Sequence, residues 1–77
     1  MEYVIVEFAE PRTVFIDGDE KDFNMRSAGK YTVFAVPPGV HEVKLGGPGN
    51  FHPSAQTVVI DGTSPINPLR VVFEKQA

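Results

Sequence analysis

The chain contains no cysteine and no tryptophan. Without cysteine no disulfide can close a loop and no thiolate can hold a metal, so the fold has to rest on packed side chains. The same absence removes any sign of redox compartment. No stretch shows helical periodicity, and no apolar run approaches the ~20 residues a helix needs to cross a bilayer. The chain starts Met1-Glu2-Tyr3, with no basic n-region, long apolar core or small-residue cleavage site. A full-length protein of this kind is expected in the cytoplasm; for a fragment of a longer one the location stays unknown.

A basic patch is missing as well. Residues 1–22 hold Glu2, Glu7, Glu10, Asp17, Asp19, Glu20 and Asp22 against Arg12 and Lys21. The remainder holds Glu42, Asp61 and Glu74 against Arg26, Lys30, Lys44, Arg70 and Lys75, for a net charge of −3. Nothing in this balance neutralises a run of phosphates, so neither nucleic acid nor a membrane surface is an expected partner.

What is present points to one small β-domain spanning residues 1–77. With 77 residues and 42% hydrophobic side chains the chain can bury a single core. Residues 34–45 show the clearest signal. The apolar run Phe34-Ala35-Val36 enters Pro37-Pro38-Gly39, then returns with His41, Val43 and Leu45 on one face and Glu42 and Lys44 on the other. Two prolines preset a turn, and strict alternation marks a half-buried strand.

The rest of the chain repeats this design. Residues 2–8 are β-branched and aromatic, with Val4, Val6 and Phe8 on one face and Tyr3 and Ile5 on the other. Such a two-faced strand suits either cover on both sides or an edge that pairs with a partner. Pro11 ends it. Residues 13–17 form a second strand closed by the turn Asp17-Gly18-Asp19. Residues 23–27 form a weaker strand followed by a turn at Ala28-Gly29-Lys30. Residues 31–36, 55–60 and 67–74 complete the set, with Val58, Ile60, Leu69, Val71 and Phe73 inward. Gly46–Pro53 reads as the longest and most mobile loop, and residues 75–77 as a fraying end. The expectation is all-β, with about seven short antiparallel strands in a two-sheet sandwich.

Val14-Phe15-Ile16-Asp17-Gly18 followed by Phe34-x-Val36-x-Pro38-Gly39-x-His41-x-Val43-x-Leu45 resembles the PEGA domain. The resemblance covers most of residues 13–51. Gly49-Asn50-Phe51 stands where that family often has a Gly-Tyr pair. The eponymous Pro-Glu-Gly-Ala signature is not present, and Ser27-Ala28-Gly29-Lys30 replaces the usual Gly-x-(Thr/Ser)-Pro. The resemblance implies a small prealbumin-like or immunoglobulin-like sandwich that acts as a non-catalytic accessory module.

The residues offer little chemistry. His41 falls on an apolar strand face, where a histidine hydrogen-bonded within the fold is the simple reading. His52 lies in the glycine-rich loop, and the two histidines lack a spacing that assembles a zinc site. Asp17–Asp22 looks like the start of a calcium loop, but Asp22 stands where glycine is needed and Ala28 where a bidentate glutamate is needed. Gly46–Gly49 lacks a Gly-Lys-Ser/Thr ending, and no serine sits in a Gly-x-Ser-x-Gly elbow. No enzyme, metal or cofactor is therefore expected. A protein partner, or a second copy joined edge to edge, is expected at a surface including Tyr3, Ile5, Phe51 and His52. The alternative is a small carbohydrate-binding sandwich, with Tyr3, Phe15, Tyr31 and Phe51 as the candidate stacking rings.

Overall fold

The computed structural model describes residues 1–27 and 29–76. Ala28, within the expected Ala28–Lys30 turn, and Ala77 lie outside the described residues. The described chain is all-β, in eleven short strands: β1 Glu2–Glu7, β2 Thr13–Ile16, β3 Asp19–Phe23, β4 Met25–Ser27, β5 Lys30–Tyr31, β6 Phe34–Val36, β7 Gly39–Leu45, β8 Phe51–His52, β9 Gln56–Ile60, β10 Leu69–Val72 and β11 Glu74–Lys75. Among the described residues there is no helix long and apolar enough to cross a membrane.

Two main sheets face each other across one core. One has the order β3-β2-β7-β9 and the other β10-β1-β6, with β8–β11 and β4–β5 as two-stranded ribbons. The core between them takes Val4, Val6 and Phe8 from the first segment, Val14, Ile16, Val43, Leu45 and Ile60 from the four-stranded sheet, Phe34 and Val36 from β6, Val71 from β10, and Phe73 from between β10 and β11. Alternation explains the selection: along β7 the side chains at 41, 43 and 45 are buried, and those at 40, 42 and 44 are exposed. The sandwich expected from the alternation is the architecture observed.

The expected strand number and direction need correction. The described strands number eleven rather than about seven because β3 and β8 form in segments expected as a turn and a loop, and because the runs 31–36 and 67–74 are each broken in two, at Thr32-Val33 and at Phe73. One pair is parallel: β1 runs alongside β10 with Val4 opposite Leu69 and Val6 opposite Val71. The other strand pairs are antiparallel.

The turn joining β2 to β3 follows directly from its residues. Ile16 pairs with Asp19, leaving the two-residue loop Asp17-Gly18 with φ of 54° and 82°. Both signs match the primed hairpin turn, which Asp-Gly supplies at low strain because glycine lacks a Cβ and aspartate tolerates the left-handed region.

Gly46–Pro53 is less of a loop than its composition suggests. Phe51 and His52 pair with Lys75 and Glu74. The Phe51 ring sits edge-on between Phe8 and Phe73, with centroids at 5.9 and 5.8 Å. The Gly46 N–H donates to the Thr13 carbonyl at 2.8 Å, and the Gln76 N–H donates to the Asn50 carbonyl at 2.8 Å. Lys75 and Gln76 are thus held in place rather than frayed, because burying three aromatic rings draws both segments together.

Candidate interaction surface

The four residues expected to form one interaction surface occupy three different settings. Tyr3 and Ile5 lie half-buried on the outer face of the three-stranded sheet. Their strand, β1, is central: β10 occupies one hydrogen-bonding edge and β6 the other. The edge-pairing role expected for residues 2–8 is therefore overturned. Phe51 belongs to the aromatic stack, partly buried against the core. His52 is exposed and pairs through its backbone with Glu74.

His41 is buried on the inner side of β7. Its Nδ1 lies 2.5 Å from Asp17 Oδ2 and its Nε2 lies 2.6 Å from the Pro37 carbonyl. Both partners are acceptors, so the geometry favours a proton on each ring nitrogen, the imidazolium form. Its pKa is raised above 6.5, first by the hydrogen bond to Asp17 and then by that to Pro37. Asp17 is lowered below 3.8, first by the Glu42 N–H, which donates to its Oδ1, and then by His41. The group ties the Asp17-Gly18 turn to the Pro37-Pro38 turn. Neither ring nitrogen is free to move a substrate proton.

A second polar cluster surrounds Arg12, which is buried although charged. Its guanidinium lies 5.4 Å from the Phe8 ring centroid. Its Nη2 donates to Asn50 Oδ1 at 2.9 Å and to Glu10. Glu10 also receives Lys75 Nζ at 2.7 Å, the leading cause of its lowered pKa. Asn24, wholly buried, closes the cluster: its Oδ1 accepts the Arg12 N–H at 2.7 Å and its Nδ2 donates to the Glu10 carbonyl at 3.3 Å. These bonds join the residue 9–12 corner, the 46–50 loop and the chain's end. Among the described residues no three His, Asp or Glu side chains converge to hold a metal ion.

Two surface features remain. One is an open pocket of about 190 Å³ lined by Glu7, Phe8, Ala9, Tyr31, Val72 and Phe73. Glu7 is paired with Arg70, whose Nη2 donates to Oε1 at 3.1 Å, and this bond keeps the Glu7 pKa low. The other lies on the outside of the four-stranded sheet. Val40 and Val59 are directly paired across β7 and β9, and leave 65% and 66% of their surfaces in water. Neither valine stood out in the sequence, because alternation identifies an outward position and leaves its cover undecided. Comparison of the chain with family models, with curated proteins and with solved structures finds no match.

Proposed function

We propose that this chain is a non-catalytic protein-interaction module of PEGA-like type, and that its docking surface is the outside of the four-stranded sheet around β7 and β9. The observation that carries the reading is the uncovered, cross-paired Val40 and Val59. The engagement of both His41 nitrogens within the fold supports a non-catalytic role. The test compares wild type with Val59→Lys as immobilised bait for candidate partners. A partner held by wild type and lost by the variant supports the reading; equal retention by both rules out this surface.

Carbohydrate binding is the second reading, favoured by the pocket that brings Tyr31 beside Glu7. An aromatic face beside a carboxylate suits a sugar ring and its hydroxyls. Titration with monosaccharides should then shift the Tyr31 and Ala9 resonances in wild type and leave them unmoved in Tyr31→Ala. Unmoved wild-type resonances across a panel of sugars would remove this reading.

A further inference from the structure

The four outer edges of the two main sheets differ in what they present. β3 offers Asp19-Glu20-Lys21-Asp22-Phe23, all exposed, and its charges oppose pairing with another strand. β6 is three residues long and runs into Pro37-Pro38. β10 follows Pro68, and its Val72 carbonyl already accepts Gln56 Nε2–H at 2.7 Å. β9, Gln56-Thr57-Val58-Val59-Ile60, contains no charge and no proline, and its last four residues are β-branched. Among the described residues it pairs only with β7. Among the described residues no hydrogen bond from outside its sheet reaches its backbone. An uncharged, β-branched edge in unbroken register with its neighbour is a template for another strand.

We propose that the open edge of β9 pairs antiparallel with β9 of a second copy of this chain, extending the four-stranded sheet to eight strands across a two-fold axis. The inference rests on the protein-interaction reading and names the partner. Charge selects the edge, and the symmetric register of that edge admits a second copy. Each chain carries −3, with four acids between Asp17 and Asp22, so approach through the β3 edges brings like charges together. Approach through β9 brings together two uncharged strands. A two-fold axis at Val58 sets Thr57 of each copy opposite Val59 of the other, and Gln56 opposite Ile60. Asp61 then faces Ala55, so no two acids oppose each other. Val59 of each copy then lies diagonally across the seam from Val59 of the other, with its paired Val40 behind it. A five-residue seam buries far less than the roughly 1,000 Å² of a standing interface, so the dimer is a weak, concentration-dependent one.

The test is sedimentation velocity of wild type and Val59→Lys from about 10 μM to 1 mM, a span over which a weak dimer assembles. Amide hydrogen exchange across Thr57–Ile60 is measured on the same samples. Wild type should gain mass with concentration, with slower exchange confined to β9. Val59→Lys should keep the wild-type circular dichroism and denaturation midpoint, since the site is exposed, and raise the dimer dissociation constant about tenfold or more. A wild type that stays monomeric at 1 mM overturns the proposal, as does a dimer unaffected by Val59→Lys. A monomer that still holds a different partner through Val59 overturns self-pairing and leaves the interaction reading standing. A monomer that holds none counts against both.

Discussion

Replacing Asn24 with alanine tests whether one buried amide holds the corner between β3 and β4. The side chain has no exposed surface, and its bond to the Arg12 N–H is short and buried. Alanine leaves that N–H without a partner, at a penalty of about 1–3 kcal/mol. The bond to the Glu10 carbonyl is longer and partly solvated, and its loss adds about 0.5–1 kcal/mol. The space left by the amide adds about 1 kcal/mol more. The total, about 2.5–5 kcal/mol, rivals the roughly 3–5 kcal/mol that a single core of this size supplies. Asn24→Ala should therefore lose most of its stability at 25 °C, as read by far-ultraviolet circular dichroism in a urea titration. Asn24→Asp keeps an acceptor for the Arg12 N–H but sets a carboxylate against the Glu10 carbonyl. Its penalty should grow between pH 4 and pH 7, roughly the range in which a buried carboxyl ionises. A loss below about 0.5 kcal/mol for Asn24→Ala, the range of ordinary surface changes, refutes the reasoning.

Val43→Asp should unfold the domain by burying an unpaired charge at a site with 0% exposure, whereas Val40→Asp on the same strand should shift the urea midpoint little; similar midpoints would refute the face assignment. Gly62→Ala should lose about 1 kcal/mol from its positive φ alone. Gly47→Ala should lose more, because a Cβ there falls 2.9 Å from Arg12 Nη1, and equal losses would mean the guanidinium yields freely. Stability should also depend on pH in two directions. The folded state binds the His41 proton more tightly than the unfolded chain does, so that contribution is complete below pH 6.5 and is lost as pH rises through the raised folded value. The lowered carboxylates Glu2, Glu7, Glu10 and Asp17 contribute above about pH 4.5 and lose that contribution as pH falls through their folded values. The denaturation midpoint should therefore peak between pH 4.5 and 6.5. His41→Gln should remove the decline on the alkaline side, and an unchanged decline would exclude His41 as its source.

Much of the fold could be read from local pattern. Alternation placed His41, Val43 and Leu45 inward, and Asp17-Gly18 specified a hairpin turn, because the strand period and turn dihedrals depend on a few adjacent residues. The candidate site was less legible. His41 was readable as a histidine satisfied within the fold, but its carboxylate lies 24 residues upstream. The two meet only because β2 and β7 pair with Ile16 opposite Val43. Asn24 gave no signal, since a polar residue in a weak strand usually faces water. Phe51 read as a loop residue, and its burial depends on Phe8 and Phe73, both distant in sequence.

Composition and period by themselves determined that this chain is all-β, which faces of the segments 2–8, 40–45, 55–60 and 67–74 turn inward, and where the Asp-Gly and Pro-Pro-Gly turns fall. Only the tertiary structure decided which strands are neighbours. It made β1 a central strand, parallel to β10, and left β9 as the uncharged edge. The physical reason is that propensity and alternation act over a few residues, whereas strand order and direction depend on contacts made far along the chain. A strand's own residues identify its inward face and do not specify the partner at its edge.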